Sequence, residues 1–223
     1  MNILAVDSSS ENLSIGVFWR GKVLIDFNRK FKFGASSLVY FIDENLRKYK
    51  ISLNDIDVFA IGQGPGSFTG LRVSFSVIKA FMISLNVPAV GVVSFYSMAY
   101  PFINKHNKIA VVSDARRGLV YAATFTVKNS LLQREIKEHL AVLEDFVRDK
   151  SEYFFVTYDE YLYKEIQKIN PKINFNQTAV YPKAKYYLKI AQTLAQKKKF
   201  IALSDLEPLY LHPKTCQIRK QNV

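Results

Sequence analysis

"ILAVDSSSENLSIGVF", residues 3–18, and "IAVVSDARRGLVYAATF", residues 109–125, share one form. Each is an apolar run ending in an aspartate, then a small or polar turn, then a stretch that alternates apolar and polar as a half-buried strand does. The spacing agrees as well, since Asp7 to Phe18 and Asp114 to Phe125 are both eleven residues, and the two copies lie 107 residues apart. A repeat of that length points to two related lobes, each opening with a hairpin. An α/β fold of two duplicated lobes follows.

Working outward, residues 23–29 read as a third strand after the turn Arg20-Gly21-Lys22, and residues 36–49 have helical spacing. Residues 57–62 form a fourth strand, followed by a glycine-rich turn and a helix that ends near Asn86. Residues 88–93 give a fifth strand, and Ser94 is placed to cap a short helix that stops at Pro101. The second half is leaner. Strands are expected over 131–140 and 153–157, helices over 144–150, 161–169 and 183–197, then an extended run over 207–211. The resulting division is a first lobe over 1–105, on which the C-terminal stretch 184–212 packs back, and a reduced second lobe over 106–183. A polar, basic, mobile tail over 213–223 completes it.

Composition narrows the class. The chain has 223 residues, 49% hydrophobic and 22% charged, which is ordinary for a globular protein. Apolar stretches are interrupted, so no membrane span is expected. The start runs straight into a strand without a basic leader, and Cys216 is alone, which excludes an internal disulfide. Both point to the cytoplasm. The formal net charge of +12 suits phosphate-bearing partners such as nucleic acid, and equally a lysine-rich solvated surface.

The turn "GQGPGSFTGLR", residues 62–72, holds four of the nine glycines. Glycines before a helix start let a chain approach an anion at unpaired N–H groups. However, Gly70 is followed by Leu71-Arg72 rather than the Lys-Ser/Thr of a P-loop, and Thr69 stands where a dinucleotide fingerprint needs glycine. Close packing of strand on helix, with Ser67 or Thr69 as cap, explains the same glycines. His106, His139 and His212 are scattered, so no metal site is expected. Asp7 and Asp114 stand at strand ends, where α/β proteins place catalytic or magnesium-holding carboxylates and where turn aspartates also bond local backbone.

Together "ILAVDSSSENLSIGVF", "GQGPGSFTGLRVSFSVIKAF", "VPAVGVVSF", "DARRGLVYAATF" and "EPLYL" resemble the TsaB (YeaZ) family, from residue 3 to about 211. The resemblance implies the actin / sugar-kinase / heat-shock-chaperone ATPase fold. It also implies a non-catalytic subunit that binds a TsaD-like catalytic subunit and a TsaE-like ATPase during threonylcarbamoyl transfer to the tRNA adenosine beside the anticodon. On that reading the chain binds no cofactor alone, ATP is used by the complex, and tRNA is met through the complex.

Two departures support a platform. No glycine follows Gly118, although a working ATPase of this fold needs a second glycine-rich turn. Residues 33–46 also lack the histidine pair with which TsaD-type relatives hold a metal. Asp7, Ser8, Ser9, Gly64, Gly66, Ser67 and Asp114 are then the relic of a nucleotide site. The alternative is a nucleotide-dependent phosphotransferase of the same fold, with Asp7 and Asp114 around magnesium. A peptidase finds no plausible Ser–His arrangement here.

The resemblance assigns partner pairing to the helices over 36–49 and 71–85. On the second, Leu71, Phe75, Ile78, Met82 and Leu85 share one stripe, while Val73, Val77, Ala80 and Phe81 form another, with Arg72 between. One stripe suffices to cover a sheet, so the second is expected to face a partner, aided by Tyr40 and Phe41. When alone, the chain is either a monomer or a homodimer.

Overall fold

The computed structural model describes residues 1–31 and 34–212; the tail over 213–223 and Cys216 lie outside the described residues. The first lobe is built from β1 (Ile3–Asp7), β2 (Asn12–Trp19), β3 (Lys22–Lys30), α1 (Ala35–Arg47), β4 (Val58–Gly62), α2 (Phe68–Leu85) and β5 (Ala89–Val92). After α3 (Ser94–Ala99) the second lobe follows: β6 (Lys108–Asp114), β7 (Leu119–Lys128), β8 (Leu131–Val142), α4 (Leu143–Val147), β9 (Phe154–Val156), α5 (Glu160–Ile169) and β10 (Asn174–Phe175). The chain then runs through α6 (Ala184–Gln196) into an extended segment.

The duplication is visible in the sheets. Their strand orders are β3-β2-β1-β4-β5 and β8-β7-β6-β9-β10, one topology used twice. In each, an antiparallel hairpin pairs with a strand whose other edge carries parallel neighbours. The second lobe is reduced, with β9 of three residues, β10 of two and α4 of five. The two-residue β10 carries no periodic signal and was not legible in the sequence. This is the expected α/β architecture of two duplicated lobes.

Alternation along each strand feeds two cores. In β1, Leu4 and Val6 face the cluster beneath α1 and α2, whereas Ile3 and Ala5 face α6. Small residues on the α6 side bring that helix close: a Cβ on Gly16 would lie 3.0 Å from the Lys185 backbone nitrogen. In the second lobe α4 and α5 cover one face of the sheet, while Phe95, Met98 and Ala99 of α3 cover the other through Ile109, Val111, Ala123 and Phe125. The two closing helices therefore cross over. α3 follows the first sheet and packs on the second; α6 follows the second and packs on the first.

Helix α2 is long and apolar enough to cross a membrane by length and composition alone. Its buried Leu71, Phe75 and Ile78 belong instead to the core over the first sheet.

Candidate functional site

Asp7 ends β1 and is fully buried. Its Oδ1 accepts from the Ser9 N–H at 2.9 Å and the Ser9 hydroxyl at 2.7 Å. Its Oδ2 accepts from the Ser94 hydroxyl at 2.6 Å and the Tyr187 hydroxyl at 2.5 Å. A carboxylate offers about four lone-pair directions, and here four donors from this chain take them. Burial and the Asp7 charge, in that order, push the Tyr187 phenol well above its usual range, so it remains a donor.

The glycine turn wraps this centre. A Cβ on Gly62 would fall 1.8 Å from Asp7 Oδ2, and one on Gly66 would fall 2.0 Å from the Ser9 carbonyl oxygen. The Ser67 N–H donates to that carbonyl at 2.6 Å, and the Ser8 hydroxyl donates to the Gly70 carbonyl at 2.8 Å. Ser67, rather than Thr69, caps α2 by accepting from the Gly70 N–H. Of the two readings of this turn, close packing onto the Ser8-Ser9 turn accounts for these glycines.

Ser94 corrects an expectation. It lies inside α3 with no capping bond of its own. Its hydroxyl instead accepts from the Gly64 N–H at 2.9 Å while donating to Asp7, and its N–H donates to the Gly64 carbonyl. Ser94 therefore ties the turn to the carboxylate. Neither Ser94 nor Tyr187 was singled out as a site residue. Tyr187 carried one readable signal: a phenol within the apolar stripe of a buried helix must find a hydrogen-bond partner.

Asp114, the counterpart in the second lobe, is more open. Its Oδ1 accepts from the Arg116 N–H at 2.8 Å, and Oδ2 pairs with the Arg116 guanidinium at 3.5 Å. Its own N–H donates to Asp159 Oδ2 at 2.8 Å. Burial, reinforced by the Asp114 charge, pushes the Asp159 carboxyl up to about 6, against the lowering effect of that N–H.

On the helices, the structure separates the residues expected at a partner surface. Val77 is 5% exposed and belongs to the core, packed where α1 crosses α2. Val73, Phe81 and Phe41 are half-buried against the same core, and the Phe81 ring lies 5.9 Å from that of Phe59. Val77 therefore belongs to the core, which corrects the expectation that it faces outward, while Val73 and Phe81 stay half-buried and Ala80 is exposed. The open surface is made instead by Ile83 (68% exposed), Phe68, Ala80 and Arg72 on α2 with Val39 and Tyr40 on α1. The Arg72 guanidinium lies 3.8 Å above the Phe68 ring, and its Nε donates to the Tyr210 hydroxyl. A groove of about 790 Å³ beside Tyr40, Leu46 and Phe81 continues this face.

A family model described as TsaD, tRNA N6-adenosine threonylcarbamoyltransferase, matches residues 35–207. Over 218 residues the chain is 25% identical to the tRNA threonylcarbamoyladenosine biosynthesis protein TsaB of Escherichia coli (strain K12), covering 95% of this chain and 94% of that one. The protein of the same name from Bacillus subtilis (strain 168) is 27% identical over 171 residues, covering 74% and 75%. Among solved structures, YeaZ from Pseudomonas aeruginosa superposes with a TM-score of 0.80 at 20% identity, covering 94% of this chain and 99% of that one. That last likeness shows a shared fold.

Proposed function

Because the chain belongs to the threonylcarbamoyltransferase family described by the TsaD model, within its TsaB (YeaZ) branch, we propose that it is a non-catalytic partner subunit in tRNA threonylcarbamoyladenosine biosynthesis. It docks a TsaD-like catalytic subunit, works with a TsaE-like ATPase, and meets tRNA through that assembly in the cytoplasm. ATP is used by the complex and no cofactor is held by this chain alone.

The observation that carries the non-catalytic reading is the saturation of Asp7. A phosphotransferase of this fold would aim that carboxylate at magnesium. Here both oxygens are enclosed and accept from Ser9, Ser94 and Tyr187, so binding a metal there would first require breaking these bonds. The same argument weighs against the phosphotransferase alternative.

The exposed apolar set on α1 and α2 supports docking at that face. Exposed aromatic and aliphatic side chains beside an arginine are the composition favoured at interface centres. The test mixes the purified chain with the TsaD-like protein of the same organism and follows complex formation and threonylcarbamoylation of tRNA. Wild type is expected to form a complex and support modification, whereas Ala80→Arg with Ile83→Arg loses both. ATP turnover by the wild-type chain alone, at a rate that accounts for the modification, would overturn the reading.

A further inference from the structure

Positive charge is unevenly spread along the chain. Residues 183–199 hold six lysines and no aspartate or glutamate, and the acid-free stretch runs from residue 166 to residue 203 with eight lysines in all. That stretch alone accounts for +8 of the formal net charge of +12. On α1, by contrast, Arg47 and Lys48 pair with Asp43 and Glu44 one turn earlier.

The fold turns these lysines outward. One face of α6, with Ala184, Tyr187, Leu188, Ala191 and Ala195, is buried on the first sheet. The opposite stripe, Lys185, Lys189, Gln192 and Gln196 at helical spacing, contains no apolar residue. It leads into Lys197-Lys198-Lys199, so the basic line from Lys185 to Lys197 is about 18 Å long. Lys185 pairs with Asp26 at 2.6 Å, whereas Lys189 and Lys197 to Lys199 are exposed and have no carboxylate partner among the described residues. Phe200, 41% exposed, follows at once and has no ring partner among the described residues. None of these residues belongs to the Asp7 centre or to the α1–α2 face.

We propose that this face of α6 and the lysine run after it bind RNA directly, with Lys189 and Lys197 to Lys199 on backbone phosphates and the Phe200 ring under an unpaired base. Lysine meets a phosphate as a flexible point charge. A basic line closed by an exposed ring is the arrangement that holds single-stranded nucleic acid. A helix lying on an anionic membrane turns its apolar face outward, and α6 turns its own toward the sheet. The proposal goes beyond the partner-subunit reading, which needs no RNA contact by this chain, and rests on it only for the choice of tRNA as probe.

The test titrates the full chain with a fluorescent, unmodified tRNA transcript of the same organism between about 50 and 200 mM salt. Lys189→Gln with Lys197→Gln and Lys199→Gln should weaken binding about tenfold or more at the lower salt and flatten the slope of log K against log salt by roughly 2–3. Lys128→Gln with Lys137→Gln and Lys164→Gln removes the same charge from exposed positions of the second lobe and should change affinity less than about threefold. Phe200→Ala should weaken binding about fivefold at an unchanged slope. All three variants should keep Tm within about 2 °C. The α6 triple variant should still form a complex with the TsaD-like protein, which keeps failure of this proposal apart from failure of the docking reading. Equal losses in the two triple variants would reduce the affinity to net charge and overturn the proposal, as would Phe200→Ala without effect. An α6 variant that binds tRNA normally, or that loses the TsaD-like protein, also overturns it. Tighter binding to phosphatidylglycerol vesicles than to tRNA, lost in the same variant, overturns it in favour of a membrane.

Discussion

At Asp7 the local chemistry is set by hydroxyl groups brought from three separate parts of the chain. Removing one donor leaves a buried carboxylate under-bonded, and a bond to a charged group contributes about 1.5–3 kcal/mol. Tyr187→Phe should therefore cost about 2 kcal/mol and lower Tm by about 4–8 °C, read by differential scanning calorimetry. Gly62→Ala should cost more, because its methyl group would occupy the position of Asp7 Oδ2. Asp159 makes a pH-dependent prediction. Its folded value of about 6 lies above the usual aspartate value of 3.8, so the folded state binds the proton more tightly. That contribution is fully present below pH 3.8 and is lost as pH rises through 6. Asp159→Asn retains an acceptor for the Asp114 N–H and escapes the loss. Its Tm should exceed that of wild type at pH 7.5, and the difference should close by pH 4.

At the scale of the element, α2 is the informative helix. Two apolar stripes were legible in its sequence, and the inference that one stripe needs a cover from outside the sheet was physically sound. What the helical wheel could not tell was that Val77 lies in the core shared by the first sheet, α1 and α2, with Val73 and Phe81 half-buried against it. Val77→Asp with Phe81→Arg should therefore unfold the chain, with a cost of roughly 4 kcal/mol or more from burying an unpaired charge. Ala80→Arg with Ile83→Arg changes only exposed positions and should leave Tm within about 2 °C, as surface changes within ±0.5 kcal/mol do. Far-UV circular dichroism melts of the two double variants separate the cases. Ile83 and Phe68 escaped the wheel because an exposed apolar residue gives no periodic signal.

At the scale of the whole molecule, the crossing of α3 and α6 couples the lobes. Without α6, the first sheet would leave Ile3, Val58, Val90 and Val92 uncovered; without α3, the second would leave Ile109, Val111 and Phe125 uncovered. Each lobe thus completes its core with a helix contributed by the other half of the chain. The extended C-terminal segment adds to the coupling: the Leu209 N–H donates to the Gln63 carbonyl, and His212 Nε2 lies 2.8 Å from the Ala115 carbonyl of the second lobe. The expected outcome is one cooperative transition. Trp19, the sole tryptophan, sits on β2 and reports the first lobe, whereas far-UV circular dichroism reports both. The two denaturation curves should coincide. An isolated fragment of residues 1–105 should fail to fold and should expose apolar surface to a dye.

The repeat, the strand–turn–strand openings, the long helices and the glycine turn were all readable from the chain, because periodicity and turn chemistry are local. The absence of glycine after Gly118 was equally plain and marked the second lobe as reduced. Tertiary structure alone decided the rest. No pattern in the sequence showed that Ser94 and Tyr187, 87 and 180 residues away, donate to Asp7. Val77 could face a partner until it was seen buried in the core of the first lobe. In each case the deciding contact joins residues distant in the chain, and a one-dimensional pattern holds no record of which distant group completes a hydrogen bond or fills a space.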